Sequence, residues 1–292
     1  MTEARDKNSH ARFKHDLRDA DYVRSVIGTF SPKYVFLAAA HAGGIKEAIE
    51  KPVEMLSDNL LIQTNLINAC HEYGVKKLIN LGSSCLYPVD GKQPYKEEQL
   101  GTGKTDENWS YAVAKLAGVE LCRAYHRQYG DNFMTVMPCN LYGINDKFGE
   151  NAHVIPSLIE KCHKNDEVIM WGKPETRREF LFSDDLAKAC VMLMEDHNYD
   201  DLFDGVINVG SGIETTIQKL CLKITQVVQK EVIFYFKGKE PCGVPSKLMD
   251  SSRMRALGWE PTTSLEDGLK EVYRWYIETC SCDKSGSRKA AV

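Results

Sequence analysis

"KKLINLGSSCLYP", residues 76–88, decides how this chain is read. The run Leu78-Ile79-Asn80-Leu81 is short and apolar and stops at Gly82, so it predicts a buried strand. In an open α/β sheet, ligands gather at the carboxyl ends of the strands. Here that end carries Ser83, Ser84 and Cys85, two hydroxyls and a thiol, before Tyr87-Pro88. A plain turn accounts for such residues, and so does a catalytic edge. The flanking sequence separates the two.

Upstream, "KYVFLAAA" (33–40) is a second compact apolar run, and 54–74 has helical spacing ending at Gly74, a C-cap residue. Downstream, 110–130 is a long amphipathic helix that again ends in Gly, followed by the strand "FMTVMPCNLYG" (133–143). This βαβαβ rhythm predicts a parallel sheet covered by helices. The fold class is α/β, with a Rossmann-like parallel sheet and a smaller C-terminal α/β domain. In the second half, helices are expected at 154–164, 183–196 (capped by Ser183), 216–230 and 264–280, with strands at 167–172 and 231–236 and a strand then a turn at 205–212. The division expected is 1–150 for the first domain, 151–279 mainly for the second with 178–196 returning to the first, and a flexible tail at 280–292.

Two patterns mislead. "LGTGKT" (100–105) resembles a triphosphate loop, but Glu98 stands where that pattern needs Gly. Gly210 and Gly212 in "NVGSGIETT" are the glycines of a turn.

The helix after the Ser-Ser strand opens with Tyr111 and carries Lys115 four residues on, so the two share a face. An ammonium near a phenol favours the phenolate, and a Ser hydroxyl beside it can hold a substrate oxygen. Ser83, Tyr111 and Lys115 together make a proton-transfer site for carbonyl–alcohol interconversion. Alone, a YxxxK pair is a frequent accident. On a helix following a strand that ends in Ser-Ser, inside a βαβ array, it is far more specific.

That arrangement resembles the extended short-chain dehydrogenase/reductase family. "LAAAHAGGI", "LGSSCLYP", "YAVAKLAG", "PCNLYG", "HVIP", "RREFLFSDD" and "INVGSG" are similar to the branch that epimerises and then reduces a GDP-4-keto-6-deoxy sugar, from about Asp16 to Tyr276. The resemblance implies NADP(H) as cofactor, a GDP-sugar substrate and a homodimer formed through the helices at 54–73 and 110–129. It adds Cys85 and His153 as the epimerisation acid/base pair. A ketone at carbon 4 acidifies the protons on carbons 3 and 5, and a thiol and an imidazole both titrate where proton exchange needs them.

The same resemblance places Asp16-Leu17 near the adenine and Ala38, Ala39 and Ala40 beside the cofactor. Leu81, Gly82, Ser83 and Ser84 follow, with Lys115 on the nicotinamide ribose. Pro138, Cys139, Asn140, Leu141 and His153 line the nicotinamide, and Lys161, Trp171 and Arg178 align with nucleotide-sugar contacts. A guanidinium fork such as Arg178 suits a diphosphate.

The family's GxxGxxG turn does not occur in these 292 residues. The first βαβ segment and its pyrophosphate grip are therefore expected to be absent. Cys242 and Ser246 replace an Asp and an Arg usual in the family. Open readings are a fragment of the full enzyme, another nucleotide-sugar epimerase or dehydratase, and a non-catalytic partner subunit.

The formal net charge of -4 gives no basic field for nucleic acid, and no apolar run reaches a membrane span of ~18 residues. The polar N-terminus is unlike a secretory signal. Ten scattered cysteines without a CxxC partner pattern argue against zinc and for free thiols in a cytoplasmic protein.

Overall fold

A computed structural model describes residues 2–4, 13–43, 45–105, 109–149, 152–238 and 244–279. The strands and helices follow in chain order. β1 (Thr2–Ala4) and β2 (Phe13–His15) form a small antiparallel pair, before α1 (Ala20–Phe30) and β3 (Tyr34–Leu37). Next come α2 (Ile45–Glu50), α3 (Pro52–Glu72), β4 (Lys77–Leu81) and α4 (Trp109–Tyr129). β5 (Phe133–Pro138), β6 (Asn140–Tyr142), α5 (Val154–Lys164), β7 (Glu167–Met170) and β8 (Arg177–Phe182) lead to α6 (Ser183–Asp196). β9 (Val206–Val209), β10 (Glu214–Thr216), α7 (Ile217–Val228), β11 (Ile233–Phe236), α8 (Ser252–Ala256) and α9 (Leu265–Thr279) complete the order.

The main sheet is parallel, in the order β3-β4-β5-β9. Successive side chains on a strand face opposite sides, and the sequence uses this directly. Leu78 and Phe133 join Val23, Ile27, Ile67 and Cys70 of α1 and α3 on one face. Ile79 and Met134 join Leu186, Ala189 and Leu193 of α6 on the other. Burial on both faces explains why β4 and β5 are mostly apolar on both sides, broken only by Lys77, Asn80 and Thr135. Among the described residues, β3 has one partner strand, and its Tyr34 and Phe36 are exposed. A separate core gathers α5, α7 and α9 around Phe180 and Phe182 of β8 and the parallel pair β7–β11.

Gly74 and Gly130 end α3 and α4 with φ of 69° and 76°, the left-handed geometry that a helix stop favours. Two expectations need correction. The run 133–143 is not one strand: Pro138, lacking an amide hydrogen, ends β5, and the chain switches at Cys139 into β6, which pairs with β8. Ser183 is not the helix cap: Phe182 holds that position, and Ser183 packs its hydroxyl against Gly143. Cys242, 239–241 and the tail 280–292 lie outside the described residues.

Candidate active site

At the carboxyl ends of β3, β4 and β5 lies a cavity of about 730 Å³. That volume falls within the ~300–1,000 Å³ of small-molecule sites. β4 delivers Gly82, Ser83, Ser84 and Cys85 into it, and α4 delivers Tyr111 and Lys115. The loop before α5 brings His153, and α5 itself brings Lys161. Trp171 and Arg178 enter from the far wall after β7 and on β8. Residues scattered over the sequence from 38 to 247 thus share one chamber.

Local bonding fixes the serine–cysteine edge. Ser83 is extended and caps a single 3₁₀ turn (84–86), its Oγ accepting from the Cys85 amide at 3.3 Å. Tyr87 anchors the far end of that turn by donating to Asn208 Oδ1 at 2.6 Å. Ser83 also hydrogen-bonds the Tyr111 phenol, and Cys85 lies within electrostatic reach of that phenol. The Tyr111 phenol is held well above its usual value, first by burial and then by Cys85, with only Ser83 opposing. The lowering that the sequence predicts for this phenol is not seen, because burial sets the direction. Lys115 lies deep among apolar groups beside the Cys122 thiol, and burial pulls its ammonium down to about 8.

Of the residues expected at the cofactor, Ala38, Ala40, Leu81 and Lys115 line the cavity. So do Pro138, Cys139, Asn140 and Leu141. Ala39 does not; it packs with Leu17 on the α1/α3 side of the sheet. Asp16 is also outside the cavity, engaged by the Arg18 guanidinium, which holds its carboxyl down at about 2. Arg18 reaches on to Asp58, whose other oxygen is 2.8 Å from His41 Nδ1, so the Asp16 turn is tied to the loop after β3. Arg178 donates to the Val244 carbonyl at 2.8 Å, which steadies the guanidinium at the wall.

Asp146 and Lys247 are among the lining residues missed from the sequence. Asp146 follows Asn145, a non-glycine residue with φ of 62°, and its half-buried carboxyl is raised by burial while His153 opposes. Lys247 reaches the cavity from a loop 162 residues beyond Cys85. Neither sits in a local pattern that marks chemistry.

The nicotinamide end of a dinucleotide fits what is present. A cation deep in the wall, facing no carboxylate among the described residues, suits a ribose hydroxyl pair, and Gly82 keeps the strand end free of a side chain. Among the described residues there is no cluster of His, Cys, Asp or Glu that could hold a metal.

The sheet order, the strand-end serine and the tyrosine–lysine helix define a nucleotide-cofactor enzyme of the short-chain dehydrogenase type. The chain belongs to the NAD dependent epimerase/dehydratase family, whose profile matches residues 2–210. It is 44% identical over 270 residues to GDP-L-fucose synthase 1 of Arabidopsis thaliana, covering 89% of this chain and 81% of that one. It is 39% identical to GDP-L-fucose synthase of Escherichia coli strain K12, covering 90% and 86%. In structure it resembles a GDP-L-fucose synthetase from Naegleria fowleri bound to NADP, with a TM-score of 0.81, 27% identity and coverage of 92% and 85%.

Proposed function

We propose that the chain is an NADP(H)-dependent enzyme that epimerises GDP-4-keto-6-deoxymannose at carbons 3 and 5 and reduces carbon 4, forming GDP-L-fucose. The observation that carries this reading is the meeting of two residue sets in one cavity: Ser83, Tyr111 and Lys115 with Cys85 and His153. A simple reductase needs only the first set.

In the epimerisation, one of Cys85 and His153 removes the proton beside the ketone and the other returns one to the opposite face. The resulting enolate charge sits on the carbon-4 oxygen, where Ser83 and Tyr111 donate hydrogen bonds. In the reduction, bound NADPH supplies hydride to carbon 4. Tyr111 gives the oxygen its proton, and the Lys115 ammonium stabilises the phenolate left behind and holds the cofactor ribose. The loop 138–141 and Leu81–Ser84 position the nicotinamide. Lys161, Trp171 and Arg178 take the GDP portion, Arg178 pairing with a phosphate and Trp171 offering a half-exposed ring to the base.

We read 1–150, with 178–196, as the cofactor-binding part and the rest to 279 as mainly substrate-binding; β9 joins the main sheet and Phe180 and Phe182 pack in the second core, so the cores cross those bounds. A homodimer through α3 and α4 is supported by exposed apolar groups on them, Val53 and Leu61 on α3 and Tyr129 on α4. A reducing, cytoplasmic setting suits the seven free cysteines among the described residues. No described helix is long and apolar enough to cross a membrane.

The test is to mix the purified chain with NADPH and GDP-4-keto-6-deoxymannose and identify the product by NMR. GDP-L-fucose is expected. Cofactor oxidation that yields only an unepimerised alcohol would overturn the epimerase half.

A further inference from the structure

The Lys247 ammonium nitrogen lies 3.7 Å from the Cys85 sulfur, and the lysine is 8% exposed. Burying a lysine is costly, so a position that keeps one against a thiol needs a reason. The backbone around it is held on both sides. Gln93 Oε1 accepts from the Leu248 amide at 2.9 Å and from the Ser246 hydroxyl at 2.9 Å. Gln93 Nε2 donates to the Ser246 carbonyl at 2.8 Å. Beyond it, Tyr95 and Met249 form a parallel bridge, with the Tyr95 amide donating to the Leu248 carbonyl at 2.8 Å. Tyr95 in turn stacks on Tyr87, two residues after Cys85. One continuous set of contacts therefore fixes both the thiol and the amine that faces it. The Tyr111 phenol lies within electrostatic reach of the same thiol.

We infer that Lys247 is the positioning residue of Cys85, holding its sulfur in the cavity and stabilising the anionic thiolate during proton exchange at the substrate carbons. The inference rests on the proposed epimerase reading for its catalytic meaning, but the pairing itself does not need a substrate. The thiolate is the form of a cysteine that both abstracts protons and reacts with alkylating agents. The nicotinamide side of the cavity is served by Lys115, so the two lysines divide the work: one for the hydride half, one for the thiol.

The experiment follows alkylation of Cys85 by iodoacetamide at pH 7 in the full chain, by peptide mass spectrometry, beside deuterium uptake at carbons 3 and 5 of GDP-4-keto-6-deoxymannose. Lys247→Met is expected to slow Cys85 alkylation about tenfold and deuterium uptake at least tenfold. Lys247→Arg, which keeps the charge, is expected to restore most of both. Gln93→Leu loosens the loop from outside the cavity and serves if Lys247→Met fails to fold; it is expected to slow alkylation severalfold. Alkylation of Cys85 at the wild-type rate in Lys247→Met, or in Gln93→Leu where that is the variant that folds, would overturn the inference. If alkylation responds to Lys247 while the wild type takes up no deuterium, the pairing stands and the epimerase reading falls.

Discussion

The Tyr87 hydroxyl donates to Asn208 Oδ1 at 2.6 Å, joining the turn that carries Cys85 to the strand β9 at the sheet's far edge. Asn208 is fully buried, and its side-chain oxygen, side-chain nitrogen and backbone amide are all paired. Its amide donates to Glu97 Oε1 at 3.0 Å, and its side-chain nitrogen donates to the carbonyls of Tyr95 and Asp250. The loops at 87, 95–97 and 250 thus converge on one side chain, and the site edge is only as ordered as that hub.

Asn208→Ala is therefore expected to remove three hydrogen bonds, from the Tyr87 hydroxyl and to the Tyr95 and Asp250 carbonyls, and to cost about 3 kcal/mol of stability. Tyr87→Phe removes a single bond and is expected to cost about 1 kcal/mol. Urea denaturation monitored by fluorescence compares the two. Equal losses would mean that Asn208 is not the hub.

Lys115 gives a pH prediction. Burial lowers its ammonium from 10.5 to about 8, so the folded state loses the proton first. Between about pH 8 and 10.5 the unfolded chain carries the extra proton, and this group makes stability rise with pH across that window. Below pH 8 both states are protonated and the full burial cost stands. Lys115→Met is expected to be more stable than the wild type at pH 7, by up to about 3 kcal/mol, with the gap closing above pH 10. The same variant is expected to lose NADPH-dependent reduction. Denaturation at the two pH values reads the first outcome; a variant no more stable at pH 7 would refute the assigned cost.

Gly118 lies on α4, one turn beyond Lys115, where an added Cβ would collide with the Gln63 carboxamide of α3. Gln63 is buried and donates to the Ala114 carbonyl, so it cannot swing away freely. Gly118→Leu is expected to push the helices apart, cost about 1–3 kcal/mol and reduce activity through displacement of Lys115. Thermal unfolding and the NADPH assay check it together.

Much of this was legible in the sequence because its signals are local. The apolar runs of β4 and β5 and the spacing of α3 and α4 are set by burial on two faces or one, and those periods survive in the letters. Ser83, Cys85, Tyr111 and Lys115 sit at element ends, where the pattern itself marks them. Lys247 and Asn208 left no such mark, since their meaning comes from loops brought together across more than a hundred residues. The break at Cys139 was hidden as well: β6 continues the apolar texture of β5, and only the pairing with β8 reveals a second sheet. The lowering expected for the Tyr111 phenol was misjudged because spacing gives a shared helix face but not depth.

The most direct test of the account is the reaction in D₂O with NADPH and GDP-4-keto-6-deoxymannose, comparing wild type, Cys85→Ala and Tyr111→Phe. The account predicts GDP-L-fucose labelled at carbons 3 and 5 from the wild type. It predicts loss of label with Cys85→Ala, and label in the ketone without reduction with Tyr111→Phe. An unlabelled wild-type product, or Cys85→Ala labelling both carbons at the wild-type rate, would contradict it.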